Sequence, residues 1–311
     1  MGELDPAVLA ERLLRLKRTY PFDAFSPEGL TLLAATGREV VCPGRTLLVS
    51  EGERASAHWV ALTGRLRALR GGEPLPGDPI KVGAGGLSIL TESPLPCDVV
   101  AEPGTVLFVL DADALLETLE EHGRLARTGL RAMARSVLDA RRRERERREP
   151  PAVTVVSGKD RRPVDLVGRM MVLRAAAGLP TRNAAVLTRL ARAARMESIP
   201  RGRNLWPDPT APADLVVVID GALDGRPDVE EGPRAGRGAL YGLMEALASV
   251  PRATPVLTTA ESTAMVVSHA EIQEALEDDD RICLALIRLA AHELWNAFWR
   301  AHPPGGTSVS Q

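Results

Sequence analysis

At 311 residues the chain is long enough for two domains of ordinary size, and a hydrophobic content of 45% supplies each with a core. Lys+Arg 39 against Asp+Glu 41 leaves a formal net charge of −2, which argues against a protein that coats nucleic acid or an anionic membrane. The three cysteines (Cys42, Cys97 and Cys283) form no CxxC pair and the five histidines show no ligand spacing, which disfavours zinc or disulfide frameworks and favours a cytoplasmic protein.

The N-terminal "MGELDPAVLAERLLRLKR" is charged and amphipathic, unlike a signal peptide, and no apolar run approaches the ~20 residues that span a bilayer. Helices are predicted over 5–19 and 26–36, the second opened by Ser26, Pro27 and Glu28. Strand-like runs follow, broken by Gly and Pro: "REVVCPGRTLLVSEGE", "HWVALTGRLRAL" and "CDVVAEPGTVLFVLD". Leu115, Leu116, Leu119, Leu125 and Leu130 then keep helical spacing within a predicted helix over 111–148. Its end, Arg141–Glu149, interleaves acids with bases and reads as a solvated helix rather than a nucleic-acid patch; Pro150-Pro151 stops it.

The same order then recurs. Helices are predicted over 164–176 and 182–194, then runs "RMESIPRGRNLW", "DLVVVIDGAL" and "PVLTTAESTAMVV", then a helix over 269–300 and a disordered tail. An offset of 157 residues aligns Gly64 with Gly221, Gly85 with Gly242, Leu90 with Leu247, Pro94 with Pro251, Val109 with Val266, Leu119 with Leu276 and Arg124 with Arg281. Gly44-Arg45 meets Gly202-Arg203 one residue out of step. This is a tandem duplication of one domain, its period far longer than that of a solenoid repeat. The expected domains are 1–149 and 164–301, with a linker at 150–163 and a tail at 302–311; the expected sheets lie at about 37–110 and 195–267.

The Pro-Gly-Arg turn at 43–45, "ALTGRLR", "SIPRGRNLW", "VVVIDGAL" and the loop "PRATP" at 251–255 resemble the signatures of the cyclic-nucleotide-binding domain family. The resemblance covers nearly the whole chain in two copies. It implies an α+β fold: two tandem β-rolls (double-stranded β-helix or jelly roll), each flanked by helices. The family's ligand loop reads F-G-E-L, then P-R-A-A/S-T. Amides at the short helix and the Arg bind the cyclic phosphate, the Glu binds the ribose 2′-hydroxyl, and a group on the final helix covers the base.

The first copy has Ala84-Gly85-Gly86 in place of F-G-E and Leu95 in place of the Arg, so the resemblance implies no ordinary ligand there. The second has Tyr241-Gly242-Leu243, then Pro251-Arg252-Ala253-Thr254. Gly242, Arg252, Ala253 and Thr254 are therefore the candidate residues for a cyclic nucleotide, with the ribose Glu replaced by Leu243. Losing that contact costs on the order of 1.5–3 kcal/mol. Glu245, two residues on, is turned elsewhere if the helix register holds. The alternative reading of Arg252 is an inherited base that pairs with a local acid such as Glu245 or Glu261.

No P-loop, G-x-S-x-G or H-E-x-x-H occurs; "GAGG" at 83–86 marks a turn, and His58 and His292 have no triad partner in sequence, so no enzyme is expected. The place of a helix-turn-helix is taken by the second copy, which disfavours direct DNA recognition. "ELWNAFWR" at 293–300 gathers Trp295, Phe298 and Trp299 on one helix. They either pack back on the body of the protein or form an anchor for a partner. The expected function is a regulatory or scaffold protein acting through a protein partner or self-association; a cyclic-nucleotide sensor working through the second copy is the alternative, and a DNA-linked regulator the third.

Overall fold

The structure, a computed structural model, describes residues 6–18, 22–76, 80, 83–147, 165–177, 184–224, 238–278 and 280–302. The expected linker, the Pro150-Pro151 stop and the tail beyond His302 lie outside them. The chain divides into two compact units: one takes in the described residues of Met1–Ala132 and Ala290–Gln311, the other those of Met133–Leu289.

In the first unit α1 (Pro6–Lys17) and α2 (Pro27–Thr36) precede the sheet. Ser26 caps α2 by accepting from the Gly29 amide at 3.2 Å, and Pro27 fills the first helical position, where its missing N–H costs nothing. Eight strands follow among the described residues: β1 (Arg38–Cys42), β2 (Thr46–Val49), β3 (Ala57–Thr63), β4 (Leu66–Arg70), β5 (Glu73–Pro74), β6 (Gly83–Ala84), β7 (Asp98–Ala101) and β8 (Thr105–Asp111), with the short helix α3 (Gly86–Thr91) between β6 and β7. They pair antiparallel in the orders β1-β8-β3-β6 and β2-β7-β4-β5. Alternate residues turn into an aliphatic core that includes Val49, Leu66, Leu95, Val99, Leu107 and Val109.

The second unit repeats this. After α4 (Ala112–Glu121), α5 (Gly123–Arg147), α6 (Leu166–Ala177) and α7 (Ala184–Ala193) come β9 (Arg195–Ile199), β10 (Leu215–Asp220), β11 (Leu223–Asp224), β12 (Leu240–Tyr241), α8 (Leu243–Ala248), β13 (Leu257–Thr258) and β14 (Ser262–Val267). The order β9-β14-β10-β12 is that of β1-β8-β3-β6. The offset of 157 survives at the level of single pairs. Arg38 faces Val109 and Arg195 faces Val266; Trp59 faces Ala84 and Val216 faces Tyr241; Leu66 faces Ala101 and Leu223 faces Thr258. Thr105 Oγ1 accepts from the Arg65 amide at 3.2 Å, and Ser262 Oγ from the Ala222 amide at the same distance. The chain is thus α+β, two tandem β-rolls each flanked by helices.

One expectation is corrected. The single helix over 111–148 is two, because the backbone of His122 (φ −120, ψ 79) leaves the helix while its N–H closes α4 on Thr118. Glycine, a poor residue for a helix interior, follows at 123. Of the helix expected over 269–300, the described residues form α9 (His269–Asp278) and α10 (Asp280–Ala301), and residue 279 lies outside them.

Candidate functional site

The candidate residues of the second roll come from the stretch around α8. Gly242 caps this helix with φ +82, and a Cβ there would overlap the carbonyl oxygen of Asp214. Helix α8 is buried along its whole length, Glu245 included. At its far end Ser249 takes a left-handed conformation, φ 54, and turns the chain into the loop that carries Arg252; Glu92 does the same after α3.

That loop delivers the Arg252 side chain into the roll, 5% exposed, where Nη1 donates to Oε1 of Glu245 at 3.0 Å; the Glu245 side chain is also 5% exposed. The guanidinium lies between two aromatic rings, 5.2 Å from the centre of Trp206 and 5.6 Å from that of Tyr241. Ala253 and Thr254 are exposed on the same loop. Of the four candidates, only Arg252 points a functional group into the roll beside its own counter-ion. Glu245 turns toward Arg252, which is the alternative pairing read from the sequence.

Sequence reasoning missed Trp206. The offset of 157 could have found it, since Trp206 falls on Val49 in the core of the first roll. At that offset Tyr241 falls on Ala84, Arg252 on Leu95 and Glu245 on Ser88. An aromatic-walled ion pair in one copy is therefore an apolar cluster with one hydroxyl in the other. Ser88 is buried; its Oγ accepts from the Ala55 amide at 3.1 Å and donates to the Ser93 carbonyl at 2.6 Å. Leu95 joins the core.

A titratable side chain, that of His58, stands in this region of the first roll. Nδ1 of His58 on β3 donates to the Ala84 carbonyl at 2.8 Å, ahead of α3. Burial pulls its pKa down, and the bond to Ala84 opposes that only in part, so the imidazole is neutral. The thiols of Cys42, Cys97 and Cys283 are buried, and burial pushes that of Cys97 up to about 11. Among the described residues no group of three His, Cys, Asp or Glu side chains gathers to hold a metal ion. A depression of about 390 Å³ on the second unit is lined by Ala185, Thr188, Arg189, Arg192 and Ile282; it lies on helices outside the roll, and Arg189 is held by Asp278 at 2.5 Å. No described helix is long and apolar enough to cross a membrane.

The aromatic triplet at the end of α10 belongs to the first unit. Trp295 and Trp299 pack against its core, edge to face at 5.5 Å from each other, and Phe298 meets Trp299 at 4.5 Å. Arg70 on β4 lies 5.7 Å over the Trp299 ring and donates to the His302 carbonyl at 3.3 Å. Two of the three aromatics are thus placed against the body of the protein.

No family model matches the chain, and no curated protein matches it in sequence. It is similar to several solved structures. One is the regulatory domain of Toxoplasma gondii PKA, co-crystallised with cAMP: 16% identity, 94% of this chain and 99% of that one, TM-score 0.34. Another is the regulatory subunit of a cAMP-independent protein kinase A from Trypanosoma brucei: 15% identity, 96% and 94%, TM-score 0.35. A third is the corresponding subunit from Trypanosoma cruzi, bound to guanosine: 13% identity, 97% and 95%, TM-score 0.35.

Proposed function

We propose that the chain is a non-enzymatic regulatory or scaffold protein of the cytoplasm. Its two cyclic-nucleotide-binding-like domains, 1–149 and 164–301 on either side of a linker at 150–163, have interiors filled by their own side chains, and it acts through a protein partner or self-association. The observation that carries this reading is the Arg252–Glu245 pair: the base that would meet a phosphate is buried and already has an anion at 3.0 Å. Leu95 at the equivalent place in the first roll supports it, since an apolar core side chain stands there in place of the guanidinium. The packing of Trp295 and Trp299 against the first core supports a cohesive role for that helix, with Phe298 left as the partner-facing candidate.

The experiment is equilibrium binding of labelled cyclic AMP and cyclic GMP to the whole chain, with melting curves at millimolar ligand. A ligand that binds only the folded state raises the melting temperature with occupancy. No saturable binding and no rise are expected. Saturable binding that Arg252→Ala removes would establish instead a sensor with Gly242, Arg252, Ala253 and Thr254 as its site. Binding that survives Arg252→Ala would put the ligand elsewhere.

A further inference from the structure

Helix α6 is the second copy of α1. Arg12 Nη1 of α1 donates to the Ala34 and Gly37 carbonyls at 2.6 and 3.0 Å, and Arg169 Nη1 of α6 donates to the Ala194 carbonyl at 2.6 Å. At the offset of 157 Arg12 falls on Arg169 and Gly37 on Ala194. The inward sides of the two helices are therefore alike, with Leu16 and Leu173 buried at matching places. The outward sides differ. On α1 Glu11 and Arg15 pair across one turn. On α6 the same two places hold Gly168 and Val172. Its outward side presents Val167, 63% exposed, and Met171, 67% exposed, one turn apart, with Leu166 at 38% before them. A lone exposed apolar residue needs no explanation, but a helix that is apolar on both sides is ordinarily covered on both.

The two ends of α6 select what covers it. Asp165 is exposed and caps the helix by accepting from the Gly168 amide at 2.8 Å; Arg174 is exposed in the last turn. These charges stand roughly 13 Å apart along the axis, centred on the same turn as Val167 and Met171. Laid antiparallel on a second α6, the face meets itself. Val167 of each chain packs on Met171 of the other, and Asp165 of each faces Arg174 of the other. A parallel copy would set like charges against each other at both ends, and a wholly apolar segment would leave both charges unmatched. Gly168, on the shoulder of the seam, has no side chain to hold the two backbones apart. Resting on the proposed action through self-association, we propose that the outward face of α6 is a twofold interface. Its partner is the same face of a second copy of this chain, packed antiparallel about an axis near residues 169 and 170.

The test is the oligomeric state of the whole chain, followed by sedimentation and light scattering from roughly 1 μM to 1 mM. So short a seam suits a weak, reversible association, and a concentration-dependent dimer is expected. Met171→Lys should weaken it at least about tenfold. Leu14→Lys, at the matching place on α1 and 63% exposed, should leave it unchanged. Arg174→Glu sets a carboxylate against Asp165 of the other copy and should weaken the dimer; adding Asp165→Asn, which keeps the cap and removes the charge, should recover part of the loss. Gly168→Glu brings in the residue of α1 and completes a reciprocal cap with Asp165, so the monomer should melt higher while the dimer is lost. If Met171→Lys does not fold, Gly168→Glu decides in its place. A chain that stays monomeric to about 1 mM overturns the proposal, even if α6 captures a different protein. So does a dimer that survives Met171→Lys and Gly168→Glu, one that Leu14→Lys dissolves equally, or a loss in Arg174→Glu that Asp165→Asn does not relieve. Cyclic-nucleotide binding is a separate result: it removes the closed-roll reading and leaves the α6 contact to be judged by sedimentation.

Discussion

Gly242 and its counterpart Gly85 meet two demands at once. Each caps a short helix at positive φ, +82 and +92, and each brings its Cα so close to a carbonyl oxygen, of Asp214 or Ala57, that a Cβ would overlap it. Gly242→Ala is expected to cost at least about 2 kcal/mol, from strain plus displacement of the β10 approach. Gly104→Ala, at φ +79 but with open space around it, should cost only about 1 kcal/mol. Denaturant midpoints of the two variants check the difference. His58 makes a different prediction. Its folded pKa lies below the unfolded value near 6.5, so the unfolded chain binds more protons in between, and stability is lost as pH falls through the unfolded pKa toward the folded one. The slope reaches up to about 1.4 kcal/mol per pH unit. His292 shifts the same way through burial, so the control is the variant: His58→Gln should flatten, not abolish, the acid limb of a stability–pH curve.

Among the elements, the last turns of α10 matter most to the first unit. Trp299 touches its core and lies under Arg70, and Trp295 braces it. Trp299→Ala is expected to destabilise the first unit by roughly 2–3 kcal/mol, since a large ring leaves partial burial. Unfolding followed by a probe in β3 and by another in β10 should show the loss in the first. The destination of these rings could not be read from the chain. Periodicity marks which helix face is apolar, and what covers that face depends on tertiary packing. The strands and short helices, by contrast, were legible in the repeat: Gly85 with Gly242 and Gly64 with Gly221 mark turns that few other residues can make. The ion pair was only half legible. Arg252 stands in a recognisable loop, but whether Glu245 meets it depends on the direction of one side chain from a six-residue helix. Trp206 was hidden because its partner in register is an unremarked Val.

At the scale of the whole molecule, the two rolls are internal controls for each other: the order β1-β8-β3-β6 recurs as β9-β14-β10-β12 around a different interior, while among the described residues the sheet β2-β7-β4-β5 is matched by the pair β11-β13 alone. The compact units do not follow the repeat at their ends: residues from Ala290 onward belong with the N-terminal unit, and those from Met133 with the other. That assignment bears on how the protein is made. The first roll is complete in the nascent chain once Asp111 has emerged, but Trp295 and Trp299 are translated some 190 residues later, roughly 10–40 s at ordinary elongation rates. Until then its core lacks two of the rings that cover it, and the ribosome holds a folded sheet with an unfinished apolar face. A premature stop before Trp295 would strand the N-terminal unit in that state, so the damage from such a C-terminal truncation should appear first at the other end of the chain.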